Sequence, residues 1–293
     1  MNRRDFLLRS AVTLAGARLV ATSTAAAAAA AATPEAGPRS RLRLSTSSVH
    51  FKDLPLEQAC ARIAALGFEA VDIWSAYENC QHLDDALNRL GPDRLREVLT
   101  KHKLELYAFS TYVGGYAKYA ELLGKAGGGV AIQGSAGPCK PEELTARMKA
   151  FLESQKPLVE LAEKHQSYLA IENHGQALLD SLDSFKAFTD LNTSPRLGIA
   201  LAPYHVQAIG ASVEEAIRIA GRQLLFFYAW QQQDGLGQLP GHGPTDFAPW
   251  LKALRQIEYR GFVNPFMHGH VEPDAMSAAL AKSRDYLKKL AVP

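Results

Sequence analysis

From residue 42 onward, short apolar runs alternate with longer stretches whose apolar positions recur every three or four residues, the periods of strand and helix respectively. Residues 42–51 alternate and then turn polar, which predicts a first strand. Residues 56–66 read as an amphipathic helix closed by Gly67. The same reading gives strands at 70–74, 104–110, 128–133, 168–171, 196–201, 223–230 and 261–266. Between them it gives helices at 83–90, 92–102, 116–125, 141–165, 182–191, 213–220 and 245–257, with a last helix at 273–290. Pro92 suits a helix start, and Pro157 predicts a bend in the longest helix. Strands alternating with helices imply a parallel sheet. Eight such units of this length imply an α/β fold of the (β/α)8 TIM-barrel type, a single domain over residues 39–293. The alternative, an open doubly wound sheet, lacks a Gly-rich fingerprint after the first strand.

The first 38 residues follow another pattern. Arg3 and Arg4 precede Phe6-Leu-Leu8, a weakly apolar run of small residues follows at 11–21, and an alanine tract occupies 25–32. This is the layout of a twin-arginine export signal with a short linker, and its apolar part is too short for a membrane span. The expectation is a periplasmic or otherwise extracytoplasmic protein with no stable membrane anchor once the signal is cleaved. Composition narrows the class further. The formal net charge is +2, part of it in the signal, so there is no nucleic-acid footprint. Cys60, Cys80 and Cys139 have no metal-type spacing, and their odd number allows at most one internal disulfide.

In a barrel of this kind chemistry gathers where strands end and the following loops begin. The central stretch is Ser167-Tyr-Leu-Ala-Ile-Glu-Asn-His-Gly175, an apolar strand that ends abruptly in Glu172, Asn173 and His174. Glu172 and His174 are two apart and point to the same side in extended chain. A carboxylate and an imidazole there are costly to desolvate unless something uses them. Other strand ends supply Ser48 and His50; Asp72, Trp74 and Tyr77; Ser110 and Tyr112; Gln133 and Ser135; Tyr204 and His205; Tyr228, Trp230, Gln231 and Gln233; and Asn264, His268 and His270. Five of the nine histidines thus fall at one end of the barrel. Trp74, Tyr228 and Trp230 could lie against the apolar face of a pyranose while polar neighbours take its hydroxyls. The expected substrate-binding residues are His50, Trp74, Asn173, His174, Tyr228, Trp230, Gln231 and His268. The partner they suit is a small carbohydrate.

The chain resembles the sugar phosphate isomerase/epimerase family, the xylose isomerase-like TIM barrels. The resemblance rests on Leu66-Gly-Phe-Glu-Ala-Val-Asp-Ile-Trp74, Ala170-Ile-Glu-Asn-His174, Leu201-Ala-Pro-Tyr-His205, Gly241-His-Gly-Pro-Thr-Asp-Phe247 with Leu251-Lys-Ala-Leu254, and Tyr259-Arg-Gly-Phe-Val263. It implies a divalent metal held by a Glu after strand five, an Asp after strand six, a His on strand seven and a Glu on strand eight. Glu172 matches the first. Ala202, Tyr228 and Phe266 stand at or near the other three, so a degenerate site is expected. A site rebuilt from Glu172, His174, His205 and His268 would suit zinc or manganese. The resemblance further implies a sugar isomerase or epimerase that removes a proton next to a carbonyl. Glu172 would act as general base, and His205 would stabilise the enediolate. Two other readings are a carbohydrate-binding relic without turnover and a keto-glycoside lyase that uses the same proton removal.

Overall fold

A computed structural model of the chain describes residues 41–291. The twin-arginine segment lies outside these residues. Eight parallel strands pair in sequence order: β1 (Ser45–Ser47), β2 (Ala70–Trp74), β3 (Glu105–Ser110), β4 (Val130–Gly134), β5 (Tyr168–Glu172), β6 (Leu197–Leu201), β7 (Leu224–Ala229) and β8 (Val263–Pro265). A parallel bridge from Leu44 to Val263 and a hydrogen bond from Val263 N–H to Arg43 O bring the last strand against the first. The expected TIM barrel is the observed fold.

The helices are α1 (Leu56–Ala65), α2 (His82–Asp85), α3 (Gly91–His102), α4 (Tyr116–Lys125), α5 (Leu144–Lys164), α6 (Leu182–Leu191), α7 (Pro203–Ala208), α8 (Val213–Ala220), α9 (Ala248–Gln256) and α10 (Pro273–Ala291). Their apolar stripes have helical spacing. α8 buries Val213, Ala216, Ile217 and Ala220, and Ser212 caps it by accepting the Glu215 N–H. Outward strand residues such as Val71, Ile73, Phe109, Leu169, Ile171, Ile199 and Leu201 pack under these stripes. Their alternates point into the barrel. Ala70, Ala108, Ala170 and Ala200 are small there and leave room for Phe226, Tyr228 and Trp74. Gly198 has the same cause on β6: a Cβ would stand 2.3 Å from the Gln223 carbonyl oxygen.

Departures from the sequence reading have local causes. The first strand stops after Ser47 because the chain turns into a 3-10 turn at Ser48–Phe51, and the Ser48 hydroxyl accepts the Trp74 N–H. The helix expected over 83–90 is α2 followed by a π-helical turn, Ala86–Leu90. The helix expected from Thr245 begins at Ala248, whose N–H is taken by the Asp246 carboxylate. The unexpected helix is α7. Pro203 opens it, since a missing N–H costs nothing in a first turn. Among the described residues no helix is long and apolar enough to cross a membrane.

Candidate functional site

Glu172 closes β5 at the C-terminal mouth of the barrel. It is buried, and burial holds its carboxyl above the usual carboxylate range against the opposing pull of its hydrogen bond. That bond comes from Tyr112, whose hydroxyl donates to Glu172 Oε2 at 2.5 Å. The Tyr112 hydroxyl in turn lies 3.0 Å from that of Tyr228, and Tyr228 lies 3.5 Å from Ser110 Oγ. Ser110 Oγ donates to Asp72, 3.0 Å from either carboxylate oxygen. Asp72 Oδ2 also accepts from Ser47 Oγ at 2.8 Å and from Trp74 Nε1 at 2.5 Å. Two buried carboxylates are thus joined by hydroxyl groups across the barrel interior. Burial pushes Asp72 up to about 6. It also drives both tyrosine hydroxyls well above 10, so they act as neutral donors.

Histidines ring this floor. The rings of His174 and His205 are 4.1 Å apart. His174 is exposed and its Nδ1 bonds the Gly175 carbonyl at 2.8 Å. His205 stands in the first turn of α7, its ring edge-on to Trp230. Burial lowers its pKa to about 3, so the imidazole is neutral. Its Nε2 is buried with no hydrogen-bond partner, a state that costs about 1–3 kcal/mol. His268 follows β8, and its Nδ1 lies 2.6 Å from Glu78 Oε1.

Several residues expected to bind substrate are hydrogen-bonded within the scaffold. Asn173 takes the Ala202 N–H and gives its amide to the Ala202 carbonyl, tying the end of β5 to the end of β6. Gln231 bonds the Leu239 carbonyl and the Thr245 N–H, which fixes the loop after β7. His50 has both ring nitrogens engaged, with Thr46 Oγ1 and the Met267 N–H, and burial lowers it to about 4. The faces of the three aromatic residues meet other rings. Trp74 stacks on Phe266 at 5.1 Å, Trp230 on Tyr204 at 4.4 Å, and Tyr228 is tilted against Phe226 and Phe266. Tyr77, 45% exposed, is the aromatic ring most open at this end.

The rebuilt metal site was expected from Glu172, His174, His205 and His268. Among the described residues no three His, Cys, Asp or Glu side chains are gathered so as to hold a metal ion. Glu172 is bonded to Tyr112, His268 to Glu78, and His174 to its own loop. A divalent ion needs several donors in tight geometry, and these residues do not fit one.

The sequence reading placed Asp72, Ser110 and Tyr112 at strand ends without giving them a role, and did not single out Glu78 or Gln238. A charged residue inside the apolar run Ala70-Val-Asp-Ile-Trp74 was an available signal for Asp72. Gln238 carried none. Its Oε1 accepts from Trp230 Nε1 and the His268 N–H, and its Nε2 donates to the His268 carbonyl, partners brought together only by folding.

The family model for the xylose isomerase-like TIM barrel matches residues 60–290. No curated protein matches this chain. Among solved structures, the apo form of the 3-keto-D-glucoside 4-epimerase YcjR from E. coli is similar at 14% identity and a TM-score of 0.65, over 84% of this chain and 100% of that one. The IolI protein with a bound zinc atom is similar at 15% identity and a TM-score of 0.67, over 85% and 98%. D-psicose 3-epimerase with D-tagatose, from Clostridium cellulolyticum H10, is similar at 16% identity and a TM-score of 0.63, over 84% and 99%. At these identities the likeness is one of fold.

Proposed function

Since the chain belongs to the xylose isomerase-like TIM barrel family, we propose that it acts on a carbohydrate as an isomerase or epimerase, removing a proton next to a carbonyl. The observation that carries this reading is Glu172. It is a carboxylate at the end of a barrel strand, raised by burial, steered by one phenol, and placed where this architecture keeps its chemistry. Burial makes Glu172 a stronger base, while the Tyr112 hydroxyl fixes one oxygen and leaves the other for the substrate. As the C–H proton moves to Glu172, negative charge passes to the substrate carbonyl oxygen. Neutral His205 would donate to that oxygen.

The test is proton exchange in D2O followed by NMR. Probes are D-fructose, D-tagatose and a 3-keto-D-glucoside, sugars of the kinds named for the similar structures. Deuterium should enter the carbon beside the carbonyl with the native protein. Glu172→Gln should slow this by about 10²- to 10⁴-fold while sugar binding persists. A second reading is a non-catalytic carbohydrate binder, in keeping with the replaced family ligands Ala202, Tyr228 and Phe266. That reading gains if the native protein and Glu172→Gln bind sugar alike and neither exchanges a proton. Release of an aglycone from the keto-glucoside would instead identify a lyase.

We also propose export by the twin-arginine route to the periplasm, on the strength of Arg3 and Arg4 and the small apolar run behind them. A free sugar or glycoside is then a more natural substrate than a sugar phosphate.

A further inference from the structure

The loop after β2 contains a costly backbone. Glu78 and Asn79 both adopt the left-handed region, with φ of 53° and 64°. Residues held there persist when the surroundings over-determine them, and such places cluster at functional sites. Here the surroundings converge on the Glu78 carboxylate. Oε1 lies 2.6 Å from His268 Nδ1 and Oε2 lies 3.7 Å from Lys52 Nζ, while the Gly269 backbone N–H adds to the pull on the carboxylate. The His268 ring is the largest of these influences and holds the Glu78 carboxyl below the usual range. His268 is fixed from the other side as well, because the Gln238 amide clamps its N–H and its carbonyl.

A carboxylate can only accept, so in the neutral ring Nδ1 carries the hydrogen and Nε2 is left as a lone pair. Nε2 has no hydrogen bond to protein among the described residues and is not a sealed atom. The ring stands among Trp74, Tyr77, Trp230 and Phe266, three strands round the barrel from Glu172.

We propose that Glu78 is a positioning residue for His268, holding its Nδ1–H so that Nε2 accepts and returns a hydroxyl proton of the bound sugar. The proposal rests on the proton-abstraction reading and narrows it to exchange of a carbonyl with a neighbouring hydroxyl. Glu172 takes the proton from the carbon bearing the hydroxyl. That electron pair becomes the new C=C bond, and the carbonyl oxygen takes the negative charge. His268 Nε2 moves the hydroxyl proton from its oxygen to the charged one. Glu172 then returns its proton to the carbon that had carried the carbonyl. Every proton and electron pair is returned, so no oxidant or other co-reactant is needed.

The experiment combines imidazole tautomer assignment with kinetics. Two-bond 1H–15N spectra of histidine-labelled protein are recorded where the rings are neutral, with His268→Gln identifying the signal. Native protein should show His268 as the Nδ1–H tautomer, and Glu78→Ala should lose it. With D-fructose as probe, Glu78→Ala should lower kcat by about 10- to 100-fold, with KM changed less than about threefold. Glu78→Gln, whose side-chain oxygen can still accept, should recover part of the loss and guards against misfolding. An Nε2–H tautomer in the native protein, or a tautomer unmoved by Glu78→Ala, overturns the proposal. If the tautomer behaves as expected, D-fructose shifts the Nε2 resonance and yet no sugar is turned over, Glu78 and His268 stand as a ligand contact and the catalytic reading of Glu172 fails.

Discussion

Asp72 shows how much a single buried group can weigh. Its ordinary value is 3.8, and burial raises it to about 6 although Ser47, Trp74 and Ser110 all donate to it. Between these values the folded chain binds the proton that the unfolded chain has released. The contribution of Asp72 to stability is therefore full below about pH 4 and lost as pH rises through about 6. The amount lost is about 3 kcal/mol. Urea unfolding of native protein and Asp72→Asn from pH 4 to pH 7 should show it. Native stability should fall by about that amount relative to the variant, and a pH-independent difference would refute the assignment. This buried carboxylate is joined through Ser110, Tyr228 and Tyr112 to Glu172.

At the scale of elements, the mouth depends on how β5 meets β6. Asn173 mimics a strand partner by bonding both backbone groups of Ala202, just where α7 begins to carry His205. Removing that side chain leaves a buried N–H and a buried carbonyl without partners. Asn173→Ala should therefore cost about 2–4 kcal/mol in urea unfolding, and Asn173→Asp, which keeps the acceptor, should cost less. An alanine variant with native stability and a raised KM would restore Asn173 to sugar binding. The same junction explains why α7 was not anticipated. Pro203-Tyr-His-Val-Gln-Ala208 is too short for a periodic signal, and the helical turn is fixed by its packing above Ala202.

For the whole molecule, the eight-fold alternation places every strand's C-terminal end on one rim. Side chains scattered from Ser47 to His268 thereby form one site. The export proposal belongs to this scale, because the twin-arginine segment would act on the folded chain as a unit. Replacing Arg3 and Arg4 by lysine should strand the full-length protein in the cytoplasm, as read by fractionation. Periplasmic recovery equal to that of the native chain would count against the route.

The sequence by itself determined the barrel. Its evidence was period and order, which are local properties: apolar runs at strand spacing, apolar stripes at helix spacing, and eight repeats of the pair. It also determined that Glu172 and His268 would stand at one rim, because both follow recognisable strands. Only the tertiary structure decided what each polar group is bonded to. Asn173, Gln231 and His50 are bonded to backbone or neighbouring hydroxyl groups, Trp74 and Trp230 meet other rings, and among the described residues the expected metal ligands are not gathered as a metal site. Glu78 and Gln238 enter through loops with no periodic signature. The physical reason is the range of the interactions. Strand and helix periods reflect neighbours within a turn or two, whereas a hydrogen-bond partner is chosen among groups that meet only when the barrel closes. Such pairs span 190 residues from Glu78 to His268 and 219 from Ser45 to Asn264.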